Sequence, residues 1–180
     1  MKNLFIAISA LVAVVPGAAV IKSGLGVPPG YNVLFGGVIE AFGALAFLLL
    51  SVNRNKVRRW SNKRITRLAT ILGIAVFVFI ALYILILRFC VVEDPLRGTA
   101  YYPLWTTGEI SEMITSAGSR RAAINKYGID AITEAIDEMP DVAVAVTTVL
   151  FMFVYQAIFT TLTVVFGLLG FHEGHDASGG

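Results

Sequence analysis

One carboxylate lies inside a long apolar segment, where an ionisable side chain is costly. Glu40 lies about ten residues after the start of the apolar segment 31–52. An ionisable group at membrane depth usually faces the interior of a helix bundle or a water-filled path. Glu40 is therefore a candidate ion or proton site, or one member of a carboxylate ring that lines a pore. Two alternatives stay open: a protonated carboxyl bonded to a neighbouring helix, and a side chain that extends to the membrane surface.

Polar side chains recur at helical spacing in the last apolar segment. Gln156, Thr160 and Thr163 follow one another by four and three residues, and Gly167 follows four residues later. This spacing places them on one face of a helix. Threonine can bond to the carbonyl of its preceding turn, whereas glutamine needs a partner on another helix. The stripe therefore indicates either the lining of a pore or polar contacts that hold helices together.

Small residues accompany both features. Gly36, Gly37 and Gly43 flank Glu40, and Gly167 ends the polar stripe. Small residues let a second helix backbone approach closely within a membrane. We expect these glycines to pack helices against each other, either within one chain or between copies of it.

Half of the basic residues lie in one stretch. Residues 53–67 contain seven of the 14 lysines and arginines and no acidic residue. Such a stretch marks the cytoplasmic side of a membrane protein, and it also attracts anionic lipid headgroups. A small anionic cytosolic ligand is the alternative, and we expect no nucleic acid. The residues concerned are Arg54, Lys56, Arg58, Arg59, Lys63, Arg64 and Arg67.

The chain lacks the residue groups on which enzymes and metal sites depend. His172 and His175 are the two histidines, and their spacing with the neighbouring acids matches no tetrahedral metal site. No serine–histidine pair or paired aspartates stand in an apolar segment. We therefore expect no enzyme activity, no metal and no cofactor, and we interpret residues 172–180 as a flexible cytoplasmic tail.

Composition predicts the elements that carry these residues. Of the 180 residues, 57% are hydrophobic and 14% are charged, whereas soluble domains are about 45–50% apolar and about 25% charged. This excludes a soluble enzyme, a disordered chain and an ordinary nucleic-acid-binding domain. A helix needs about 20 apolar residues to cross a bilayer. We predict an all-α polytopic membrane protein with residues 1–171 in one domain and spans at about 4–21, 31–52, 68–92 and 142–171.

Charge predicts the orientation of these spans. The loop 93–141 contains nine acidic and four basic residues. We therefore expect this loop to lie on the opposite side of the membrane from the basic stretch 53–67. Both termini are then cytoplasmic in a cell-membrane protein. Within the loop we predict three short helices: one between Thr107 and Gly118, a second over 119–126 and a third over 129–138. They would form a helical extracytoplasmic cap between the third and fourth spans.

The short first outer loop and the long second one are similar in layout to those of tetraspanins. The long loop has no Cys-Cys-Gly motif and no cysteine pair, because Cys90 is the single cysteine. The layout therefore assigns the chain to no family, and function is argued from the candidate residues.

Three functions fit these features. The first is a homo-oligomeric channel or pore, including a gated effector, with Glu40 and the polar stripe near the conduction path. The second is a non-catalytic accessory or scaffold subunit that binds a protein partner through 93–141 or 53–67. The third is a small proton-coupled transporter that uses Glu40. All three place the chain in a lipid bilayer, and the first also requires self-association.

Overall fold

The protein is mostly helical. The computed structural model describes residues 2–23, 32–94 and 98–172, and the predicted tail beyond His172 lies outside the described residues. In chain order the elements are α1 (Lys2–Ser23), α2 (Asn32–Val52), α3 (Arg54–Arg58), α4 (Asn62–Cys90), β1 (Val91–Asp94), β2 (Gly98–Tyr101), α5 (Gly108–Ala117), α6 (Arg120–Tyr127), α7 (Ile129–Asp137) and α8 (Asp141–His172).

Two of these helices are long and apolar enough to cross a membrane. They are α4 and, within α8, the segment Val142–Phe171. In α4 only 11% of the most apolar 18-residue window is buried, and Ile74 and Phe77 are among its exposed side chains. A large exposed apolar surface needs a cover other than water, which is typical of a membrane protein. Shorter apolar stretches, Asn3–Ala13 and Gly37–Val52, lie in α1 and α2.

The chain divides into two compact units, of which the first contains Met1–Leu82 and Met152–Gly180. In this unit α1 packs on α2. A buried cluster joins the end of α8 to the α3–α4 region through Val57, Ile65, Leu168 and Phe171. The Phe171 ring also lies 6.3 Å from the ring of Phe47 on α2. Apolar burial therefore fixes α3 and the first turn of α4 against helices that are distant in sequence.

The second unit, Tyr83–Phe151, contains a two-stranded ribbon and three short helices. β1 and β2 are antiparallel, with Val91 opposite Tyr101 and Asp94 opposite Gly98. Its buried core includes one isoleucine from each of α5, α6 and α7, namely Ile110, Ile124 and Ile132. The apolar stripes of the three helices therefore converge on one core.

The helices of the loop lie where the sequence predicts them. Gly118 ends α5 in a left-handed conformation (φ 85°) that glycine adopts without strain. Ser119 then caps α6, because its hydroxyl oxygen accepts a hydrogen bond from the Ala122 amide at 3.1 Å. Thr107 precedes α5 as expected, but its side chain makes no capping hydrogen bond.

Both boundaries of the third predicted span differ from those of α4. The span was predicted to begin at 68, whereas α4 begins at Asn62, so three of the basic residues lie in α4, and three more lie in α3. The Ser61 carbonyl accepts the amide hydrogen bonds of Arg64 and Ile65, which starts the helix early. At the other end, Val91 and Val92 leave the helix and pair with β2, because β-branched residues fit a strand well.

Candidate functional site

Glu40 lies at the edge of an exposed face of α2. Its side chain is partly buried, and no described residue makes a hydrogen bond to its carboxylate. Gly37, Ala41 and Ala44 are exposed on the same side of the helix, because they lie three or four residues from Glu40 or from each other. The structure thus places the carboxylate beside an uncovered strip of small residues.

The polar stripe of α8 is only partly satisfied by hydrogen bonds. Gln156 donates through Nε2 to the Thr160 hydroxyl at 2.6 Å. The Gln156 Oε1 atom is buried and has no hydrogen-bond partner among the described residues. A buried amide oxygen without a donor costs free energy, so the second half of this amide is free to bond to a group from outside the described chain.

Thr163 lies in the contact between α1 and α8. It is fully buried, and its backbone carbonyl accepts a hydrogen bond from the Ser9 hydroxyl at 2.8 Å. A residue with no exposed surface in a helix–helix contact cannot line an open path in this arrangement. Of the two interpretations of the stripe, its position favours helix packing at Thr163.

The four candidate packing glycines have different surroundings. A Cβ atom added at Gly43 would overlap the Ala13 carbonyl, and one at Gly167 would lie 2.7 Å from a methyl of Leu50. At Gly37 an added Cβ would meet nothing within 4 Å. Gly36 lies in α2, and its surroundings are outside the described part of the chain. Gly43 is therefore where α1 and α2 approach most tightly among the described glycines of α2.

The basic stretch has an apolar underside and a charged outer side. Val57 and Ile65 are buried, whereas six of the seven cations are exposed. The Arg64 guanidinium lies 4.4 Å from the centre of the Trp60 ring, a cation–π contact. Arg58 is partly buried, and its Nε atom has no partner among the described residues. The exposed cations are Arg54, Lys56, Arg59, Lys63, Arg64 and Arg67.

A partly buried arginine, which the sequence did not single out, organises the second unit. The Arg120 guanidinium donates to the carbonyls of Phe89, Pro103 and Leu104, the last two at 3.2 and 3.5 Å. It also lies 4.1 Å from the centre of the Phe89 ring and 5.2 Å from that of Tyr102. The guanidinium thus donates its hydrogen bonds to the backbone, and its role is structural.

The signal for this arginine was present in the sequence. Arg120 lies three and four residues before Ala123 and Ile124, and both are fully buried. Residues at these spacings share one helix face. The neighbouring Arg121 is exposed, although it too lies three residues before Ile124. Helical periodicity therefore favours Arg120 for burial, with two buried neighbours against one, but does not separate the two arginines.

Burial changes the pKa values of Tyr102 and Arg120. Burial raises the pKa of Tyr102 to about 12, and the nearby positive charge of Arg120 offsets a smaller part of that rise. Burial also lowers the pKa of Arg120, whereas the neighbouring Tyr102 acts in the opposite direction. The Tyr102 hydroxyl donates to the Arg120 carbonyl at 3.1 Å, and this bond requires the protonated phenol.

We expect the Tyr83–Phe151 unit to lose stability as the pH rises from 10 to about 12. The folded state holds the Tyr102 proton more tightly than the unfolded state, so stability is complete below pH 10 and falls through this window. Thermal unfolding across the window measures the effect. In Tyr102→Phe the alkaline loss becomes smaller. The control is Tyr101→Phe, which removes a hydroxyl group from the adjacent residue and should keep the alkaline loss of stability. An unchanged pH dependence in Tyr102→Phe would contradict the prediction.

The surface of the second unit carries an acidic groove. A concavity of about 210 Å³ is lined by Glu109 of α5 and by Glu134 and Glu138 at the end of α7. Met113 and Ala135 provide apolar lining. No cluster of three or more His, Cys, Asp or Glu side chains in residues 2–23, 32–94 and 98–172 has an arrangement that could hold a metal ion. The groove thus combines negative charge with a small apolar floor.

Comparisons with protein-family models, with curated proteins and with solved structures gave no match to this chain. Function is therefore argued from the residues alone.

Proposed function

We propose that the protein is a multi-pass cell-membrane protein that assembles from identical copies into a channel or pore. In this proposal α1, α2, α4 and α8 span the bilayer and both termini are cytoplasmic. The loop 93–141 forms a helical cap on the outer side. The exposed apolar surface of α4 and the opposite charges of 53–67 and 93–141 support this topology.

The position of Glu40 carries the proposal of a pore. Its carboxylate is partly exposed on an apolar helix and has no hydrogen bond to any described residue. A charged side chain facing lipid near the bilayer centre costs about 2.5–3.5 kcal/mol on insertion scales. Packing of further copies on the strip of Gly37, Ala41 and Ala44 would remove this carboxylate from lipid, because small residues let helices approach closely. A ring of such carboxylates would attract cations.

We expect Glu40→Gln to reduce cation selectivity in reconstituted liposomes by about tenfold, because charges that line a narrow path raise the local counter-ion concentration. Glutamine has nearly the same size, so the helix packing stays intact. The measurement is the reversal potential under a salt gradient, with the native mass of the extracted complex determined in parallel.

Glu112→Gln is the matched control, because Glu112 is an exposed carboxylate on α5. Its selectivity should equal that of the wild type. An unchanged reversal potential in Glu40→Gln, with the complex intact, would remove Glu40 from the conduction path. A complex that contains one copy of the chain with a different polypeptide would contradict the homo-oligomeric pore.

The acidic groove favours a second candidate function, that of an accessory or scaffold subunit. Glu109, Glu134 and Glu138 line a concavity with an apolar floor, which suits a partner with basic and apolar side chains. In this case the protein would co-purify with a partner and conduct no ions alone. The native mass of the complex separates the two functions.

A further inference from the structure

One face of α4 changes from charged to apolar along its length. Lys63 and Arg67 are followed on the same face by Ile71, Ile74 and Val78, at spacings of four, four, three and four residues. All five side chains are exposed, and the three apolar ones expose 52%, 60% and 58% of their surface. This face therefore offers two cations at one end and an uncovered apolar strip directly next to them.

Among the described residues of its unit, the positive charge at this end has a single acidic counterpart. Residues 53–67 carry seven cations. Glu40 is the only acidic residue among the described residues of the unit that contains them. Clustered cations with few acidic residues among the described part of their unit attract anions from the surroundings. The expected ligand is thus an anion, and phosphate is a group that both lysine and arginine bind well.

Apolar packing holds these cations in place. Ile65, between Lys63 and Arg67, is buried in a cluster with Leu168 and Phe171 near the end of α8. Trp60 is partly buried against the same cluster and stacks with Arg64. An amphipathic tryptophan beside cations is typical of the membrane–water interface. The helix turn that carries the two cations is therefore fixed where headgroups would lie if the apolar helices cross the bilayer.

We propose that this face of α4 binds an anionic phospholipid, with the phosphate at Lys63 and Arg67 and an acyl chain along Ile71, Ile74 and Val78. From Arg67 to Val78 the helix rises about 16 Å at 1.5 Å per residue, which is about half of the 30 Å hydrocarbon core. The strip thus has the length of one leaflet. The apolar continuation favours a lipid over a soluble phosphate. The inference rests on the proposed membrane insertion and does not depend on pore formation.

The test measures lipid preference by native mass spectrometry of the full-length protein in detergent with equal amounts of phosphatidylglycerol and phosphatidylcholine. The wild type should retain phosphatidylglycerol preferentially. In the double variant Lys63→Gln, Arg67→Gln we expect this preference to fall by at least about tenfold, since each headgroup contact of a lysine or arginine contributes appreciably to binding. The matched control is Arg88→Gln, Arg121→Gln, which removes the same charge from exposed positions outside residues 53–67 and should keep most of the preference.

Equal losses in the two double variants would indicate diffuse attraction and would overturn the site on α4. Displacement of phosphatidylglycerol by soluble glycerol phosphate at comparable concentration would overturn the lipid assignment in favour of a soluble phosphate. Flotation with phosphatidylcholine vesicles after an alkaline wash tests insertion separately. A wild-type protein that fails to float contradicts the membrane proposal, whereas one that floats without preferring phosphatidylglycerol contradicts the lipid site alone.

Discussion

Arg120→Met lowers the free energy of unfolding of the Tyr83–Phe151 unit by about 3 kcal/mol, because hydrogen bonds to a charged group contribute about 1.5–3 kcal/mol each and these bonds are only partly shielded from water. The guanidinium bonds to the carbonyls of Phe89, Pro103 and Leu104. Methionine fills similar space but donates nothing to them. Because domains are stable by only about 5–15 kcal/mol in total, such a loss is a large share of the stability and would raise the unfolded population of the unit by about a hundredfold.

Hydrogen exchange of the backbone amides in α6 and α7 measures this effect within the unit. Arg121→Met is the matched control, because Arg121 is the next residue and its side chain is exposed. Arg120→Lys should fall between the two, since lysine keeps the charge but lacks the planar group that reaches several carbonyls at once. If the amides of α6 and α7 exchange at the same rate in Arg120→Met and Arg121→Met, the prediction that Arg120 stabilises the unit is wrong.

The second large effect is expected at Gly43, where Gly43→Val destabilises the packing of α1 on α2 by about 3 kcal/mol or more. An added Cβ would overlap the carbonyl oxygen of Ala13. A backbone atom cannot rotate away as a side chain can, so the two helices must separate. The change is measured as a shift of the unfolding midpoint in a denaturing-detergent titration.

Gly37→Val tests whether the loss comes from the clash or from valine itself. Gly37 lies on the same helix, and an added Cβ there meets nothing within 4 Å. This variant should unfold near the wild-type midpoint, because a β-branched residue alone costs a helix only a fraction of a kcal/mol. A Gly43→Val protein as stable as Gly37→Val would show that the close approach of α1 and α2 does not hold.

Local signals predicted most helices of this fold. The apolar segments predicted the long helices, and glycine and serine predicted the boundary between α5 and α6 through Gly118 and Ser119. These features act over a few residues, so one sequence is enough to identify them. The all-α expectation is supported, apart from one short ribbon. The four-span topology and the cap stay predictions.

Features that depend on distant residues were missed. The strand Val91–Asp94 continues an apolar segment, and only its pairing with Gly98–Tyr101 distinguishes it from the end of a helix. The structural role of Arg120 was not predicted, because its carbonyl partners lie 16 to 31 residues earlier in the chain. The roles of Glu40 and Gln156 also depend on what covers them, so they stay predictions.

The core of the Tyr83–Phe151 unit has a consequence for biosynthesis. All of its core residues, including those packed at its margin, lie between Val92 and Val144. Short separations along the chain favour fast folding, and domains form in order as the nascent chain lengthens. This core can therefore close before most of α8 has left the ribosome. The ribosome would deliver the last helix to a chain whose loop is already folded.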